Sequence, residues 1–136
     1  MRISSARAVF SLVLLVTLLV LSACSSSSSE VTGTVTKLDR KGLSPTTVVN
    51  VELRDTSLQD VAAATHSTDI IELEGDQLPV PYVLEYDEDE IEEGHTYTVF
   101  VRIEDGGALL YITDTAYPVI TNGVTEDVEV LVVPLG

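Results

Sequence analysis

Cys24 is the residue of this chain whose type and setting specify a chemical modification. It is the only cysteine in 136 residues and closes the run Leu21-Ser22-Ala23-Cys24. That run has the form of a lipobox, where a signal peptidase cuts before a lipid-modified cysteine. Upstream, Arg2 and Arg7 make a positive n-region, and Ala8 to Val20 is apolar except for Ser11 and Thr17. A membrane-spanning helix needs about 20 apolar residues, so this shorter stretch reads as a signal peptide. Each buried CH₂ of an acyl chain such as palmitate contributes about 0.8 kcal/mol, and two or more chains hold a protein stably on a bilayer. With no second cysteine, an intrachain disulfide is impossible, and the exported domain must rely on packing.

Other side chains capable of chemistry are sparse. His66 and His95 are the only histidines, too few with their neighbours to supply the four ligands of a structural zinc site. Asp87-Glu88-Asp89-Glu90 with Glu92 and Glu93 is the densest run of oxygens. An EF-hand loop needs Gly at its sixth position and Glu at its twelfth. Counted from Asp87, those positions hold Glu92 and Thr98, so the run reads as a solvated acidic loop. There is no Gly-x-Ser-x-Gly elbow and no Gly-rich phosphate loop. Carboxylate pairs for glycoside hydrolysis could be drawn almost anywhere from 22 acids, so that signal is empty. The sequence implies no catalytic residue, no metal and no cofactor.

Charge narrows the partners. All the acids follow Cys24, whereas Lys37, Arg40, Lys41, Arg54 and Arg102 are the only strong bases there, giving residues 24–136 a formal charge of 5 − 22 = −17. Phosphate binding needs clustered Lys and Arg, so nucleic acid is excluded as a partner, as is adhesion to headgroups through a basic patch.

The elements that must position these groups are strands. Val31-Thr-Gly-Thr-Val-Thr36 alternates and is rich in β-branched residues. Val49, Val51 and Leu53 alternate with polar residues, and Tyr97, Val99, Val101 and Ile103 give the cleanest period of two. Further strands are expected within 62–73, 80–86, 109–113 and 128–132, with a short helical turn within 55–64. About seven short strands separated by turn signals predict an all-β domain, a single antiparallel, immunoglobulin-like β-sandwich. The domain is expected to span 31–136, after a signal peptide at 1–23 and a lipidated Cys and Ser-rich linker at 24–30, since a serine run has no apolar side chains to bury.

Ile91-Glu-Glu-Gly94-His-Thr-Tyr97 has the form of a tyrosine corner, in which the ring hydroxyl bonds back to the backbone upstream. The next hairpin turns at Asp105-Gly106-Gly107, residues suited to the positive φ angles of a type I′ turn. Its register predicts Val99, Val101, Ile103, Leu110 and Ile112 on the core face. Phe100, Arg102, Leu109 and Tyr111 then lie on the opposite face. Phe100, Leu109 and Tyr111 are therefore the candidate partner-binding residues, because an exposed apolar cluster can mark a binding surface.

Several blocks together carry a family resemblance. These are Val31-Thr-Gly-Thr-Val-Thr36, Leu53-Arg-Asp-Thr-Ser-Leu58, Leu78-Pro-Val-Pro-Tyr82 with Tyr86-Asp87, Arg102-Ile-Glu-Asp-Gly-Gly-Ala-Leu-Leu110 and Thr113-Asp-Thr-Ala-Tyr-Pro-Val119. The pattern resembles the YbaY/YscW lipoproteins, described as type III secretion lipoprotein chaperones, over roughly Val31 to Val133. The resemblance implies a small β-sandwich lipoprotein of the cell envelope with no catalytic residues. It also implies a pilotin-like role, in which the lipoprotein binds or chaperones another envelope protein such as a secretin. A general envelope-maintenance lipoprotein without a secretin client is the alternative, and a carbohydrate-acting enzyme comes last. Ser25 after the cysteine resembles an outer-membrane address in a Gram-negative envelope, with the domain facing the periplasm.

Overall fold

A computed structural model describes residues 27–136. The expected signal peptide, Cys24 and the first two serines of the expected linker lie outside the described residues. The domain is all-β: β1 (Ser28–Lys37), β2 (Thr47–Asp55), β3 (Ala64–Glu72), β4 (Val80–Asp87), β5 (Tyr97–Asp105), β6 (Ala108–Ile112), β7 (Pro118–Val119) and β8 (Val128–Pro134). A single 3₁₀ turn, Glu88–Glu90, falls inside the acidic run, with the Asp87 carboxylate accepting from the Asp89 N–H at 2.9 Å. The stretch 56–63 holds a turn at 59–60 and no helix.

The strands follow one path, β3-β2-β5-β6-β8-β1-β4, with β7 paired to β5. This corrects the expected purely antiparallel sandwich, because β1 and β8 run parallel, Gly33 opposite Val128 through Lys37 opposite Val132. The path rolls into a nearly closed barrel whose end strands β3 and β4 face each other across a seam. There Asp69 of β3 accepts from the Val83 N–H of β4 at 3.0 Å. Pro81 of β4 has no N–H to offer. Edge strands are commonly blunted by such devices.

One core fills the barrel. Val31, Val35, Val49, Val51, Leu53, Leu84, Val101, Ile103, Val119 and Val130 are completely buried, and most of them recur at every second residue of their strands, as a pleated ribbon with one face inward requires. β1 starts three residues earlier than the expected domain boundary. Ser28, Ser29 and Glu30 pair with Asp87, Tyr86 and Glu85 of β4, so the end of the serine run is strand. Pairing supplies backbone hydrogen bonds to residues whose side chains bury little.

The tyrosine corner is present. Tyr97 is buried, and its hydroxyl oxygen accepts from the Glu92 N–H at 3.0 Å. At the hairpin, Gly106 and Gly107 have φ of 58° and 84°, the paired positive values a type I′ turn needs.

Candidate functional site

The β5–β6 hairpin does not keep the predicted register. Ile103 pairs with Tyr111, but the next pair is Glu104 with Leu109. Leu110 is therefore an extra residue, a β-bulge. A bulge moves every following residue to the opposite face. Tyr111 thus joins Ile103 in the core at 3% exposure, which corrects its expected place on the outer face. Ile112 pairs with Arg102 on the face expected to carry Tyr111. Leu110 packs half-buried against the core.

The three candidate residues are consequently split. Phe100 lies on the outer face of β5, opposite Glu52 of β2. The Arg54 guanidinium sits over its ring, 3.7 Å from the centroid. Glu52, itself buried, receives Arg54 Nε at 2.7 Å, and Arg102 lies 3.9 Å from its second oxygen. A carboxylate held between two guanidiniums keeps its charge satisfied at low exposure. That packing shelters Phe100 and makes this face a built polar network.

Leu109 and Tyr111 line a different feature. It is a groove of about 330 Å³ between the loop after β1 and the tips of β6 and β8, walled by Leu43, Leu109, Leu110, Pro134 and Leu135, with Asp39, Lys41 and Asp105 at its margins. Tyr111 forms the end of its floor, donating its hydroxyl to Asp39 at 2.8 Å. Lys37 closes the loop over this ring. Its ammonium donates to the Asp39 carboxylate and to the carbonyls of Asp39 and Lys41, and stands 5.5 Å from the Tyr111 centroid. Lys37, chiefly, and Tyr111 hold the Asp39 carboxyl below its ordinary value, while burial and then Asp39 push the Tyr111 hydroxyl up. The sequence pattern named Leu109 and Tyr111 for the outer face beside Phe100, whereas the fold sets them at this groove. Leu135 and the Lys37–Asp39 pair carry no local signal, because only the fold brings 37–44 and 134–135 to the hairpin.

The second cluster surrounds the corner. His95 Nδ1 lies 2.7 Å from Asp55 Oδ2, and Nε2 lies 3.0 Å from Glu92 Oε2. Asp55 also accepts from the Ser57 hydroxyl and N–H. Ser, His and Asp therefore meet, but the hydroxyl donates to the carboxylate and both imidazole nitrogens face carboxylates. No nucleophile is paired with a base, as nucleophilic catalysis requires. The hydrogen bond to Asp55 is the main cause that raises the His95 pKa. Asp55 falls to about 2. Burial, its largest influence, raises it, but the Ser57 and His95 hydrogen bonds together outweigh that. The described residues contain no group of three or more His, Cys, Asp or Glu placed to hold a metal ion.

The family model described as type III secretion system lipoprotein chaperone (YscW) matches residues 26–132, nearly the whole described domain. The chain belongs to the YscW family. Among relatives, the uncharacterized lipoprotein YbaY of Escherichia coli K12 is 31% identical over 96 residues, covering 71% of this chain and 50% of that protein. The chain thus spans about half the length of the curated relative it matches. Among solved structures, an alternative pilotin from the type II secretion system of Vibrio cholerae is similar with a TM-score of 0.72 at 35% identity, over 78% of this chain and 97% of that one. The matched region spans nearly all of the barrel, with Pro134 and Leu135 of the groove beyond its end and Cys24 before its start.

Proposed function

We propose that this YscW-family protein is a lipid-anchored, non-enzymatic carrier of the cell envelope, pilotin-like in that it binds another envelope protein such as a secretin and takes it to the outer membrane. The likeness to the type II secretion pilotin carries this reading, since it joins 35% identity to coverage of 97% of that chain. The family description, a lipoprotein chaperone, agrees with it. The anchor is the lipid on Cys24, which places the domain at the membrane facing the periplasm. The surface supports binding over catalysis: the described residues offer an apolar groove and a bonded polar network, and the one Ser–Asp–His meeting lacks a nucleophile–base pair. Leu109 at the groove and Phe100, partly covered by Arg54 on the outer face, remain the proposed contact residues, with Tyr111 supporting the groove from the core.

The test is sorting. In a host that encodes a secretin, deletion of this gene should leave secretin subunits outside the outer-membrane fraction. Wild-type protein should restore them, and Cys24→Ser should not. A secretin distribution that is the same with and without the gene removes the carrier reading and leaves the envelope-maintenance alternative.

A further inference from the structure

We propose that the groove between the 38–44 loop and the tips of β6 and β8 seats a short segment of the client, with one or two large apolar side chains and a basic residue beside them. The inference rests on the carrier reading above and names the chemistry of what is carried. The walls come first. Leu109 and Leu135 are 39% and 48% exposed, and the chain just past β8 is tied to β6 by the Leu135 N–H donating to the Leu110 carbonyl at 3.0 Å. Leu43, Leu110 and Pro134 continue the lining. Singly scattered exposed leucines need no explanation, but two that wall one concavity form a patch.

Size sets the occupant's length. About 330 Å³ is at the small end of ligand clefts, which run from about 300 to 1,000 Å³. Such a space takes anchor side chains and not the flank of a long helix. Charge sets the neighbouring residue. Asp39 is engaged by Lys37 and Tyr111 through its two oxygens. Asp105, among the described residues, is engaged only through Oδ1, by the Thr46 hydroxyl. Lys41 is the single base among the lining residues. A cation on the client therefore meets Asp105 within a strongly acidic domain, whose field favours its approach. The groove is also built before binding. The Lys37 side chain is 8% exposed, and its bonds to Asp39 and Lys41 fix the loop, so little ordering is left to oppose association.

The experiment uses the full-length protein, wild-type and variant, purified from membranes in detergent, and fluorescent synthetic peptides tiling the secretin encoded in the host genome. One peptide with large apolar side chains near a Lys or Arg should bind. Leu109→Asp and Leu135→Asp should each weaken it about 30-fold or more, the size of a hot-spot loss. Ile70→Asp, at an exposed apolar residue of β3, should leave affinity unchanged, and Asp105→Asn should slow association and flatten its salt dependence. Melting curves control for folding, with Leu109→Gln replacing Leu109→Asp if the latter unfolds. Equal binding by wild type and both leucine variants overturns the seat while leaving sorting intact as the separate measure of the carrier function. Failure of every peptide to bind the wild type overturns the inference, and a dimer that Leu109→Asp converts to monomer reassigns the groove to a second copy of this chain.

Discussion

The Tyr82 hydroxyl donates to the Val128 carbonyl at 2.9 Å, buried, across the position where Gly33 has no side chain. Three strands meet there, since Gly33 of β1 pairs with Tyr82 of β4 on one side and Val128 of β8 on the other. A Cβ on Gly33 would stand 1.9 Å from the Val128 oxygen and 2.8 Å from the Tyr82 hydroxyl. Backbone atoms at that distance cannot step aside as a flexible side chain would.

Gly33→Ala should therefore cost at least the upper end of the about 1–3 kcal/mol typical of overpacking. Tyr82→Phe removes the buried hydrogen bond to the Val128 carbonyl, at a cost of about 1–3 kcal/mol. Urea denaturation of both variants and the double variant measures this. A Gly33→Ala protein as stable as wild type would mean that β8 is free to shift at Val128.

The corner gives a second separation. Tyr97→Phe keeps the ring against His66, whose centroid lies 5.4 Å away, and removes only the acceptor of the Glu92 N–H. The expected loss is about 1–3 kcal/mol, whereas Tyr97→Ala should lose about 3–5 kcal/mol through the cavity. Client affinity, compared at equal folded fraction, should be unaffected by Tyr97→Phe. A binding defect in a fully stable Tyr97→Phe protein would move the residue from scaffold to site.

These two sites were legible in the sequence to different degrees. Gly94 and Tyr97 carry the corner in a local pattern, and period-two alternation located β2, β5 and β8. The core face of β6 was not legible, because Leu109, Leu110 and Tyr111 are consecutive apolar residues and either phase offers the core a large side chain. The choice belongs to Lys37 and Asp39, 72 residues away for the Tyr111–Asp39 bond, which reward the tyrosine for turning inward. The parallel β1–β8 pairing is equally non-local. β7, two residues long, has no period to read. Ser28 to Glu30 look like linker by composition and become strand only because β4 extends to meet them.

His95 and Asp55 make the stability pH-dependent in opposite directions. His95 has a raised pKa in the folded state. Its contribution is therefore complete below the ordinary histidine value, about 6.5, and is lost as pH rises through the higher folded value. Asp55 has a lowered pKa, about 2 against an ordinary 3.8. Its contribution is complete above the ordinary value and is lost as pH falls toward 2. Stability measured by denaturation from pH 5 to 9 should fall on the alkaline side in the wild type and fall less in His95→Gln. Identical slopes would show that the imidazolium between Asp55 and Glu92 contributes nothing to the fold. The loss should be screened by added salt, since both carboxylates reach solvent.

Tyr111 and Phe100 should respond to substitution in different ways, and the difference tests the corrected register. Tyr111 is a core residue whose hydroxyl holds Asp39, so Tyr111→Ala should lose about 3–5 kcal/mol by leaving a cavity. Tyr111→Phe should cost about 1 kcal/mol, with faster hydrogen exchange confined to the 38–44 loop, because the Lys37–Asp39 pair loses its tie to the hairpin. Phe100 stands outside the core under Arg54. Phe100→Ala should remove a cation–π contact of about 0.5–1 kcal/mol and release Arg54 from the Glu52 network. Had Tyr111 occupied the outer face beside Phe100, both alanine variants would have mild and similar effects. Thermal or urea unfolding that finds Phe100→Ala as damaging as Tyr111→Ala would contradict the bulge at Leu110 and the groove built on it.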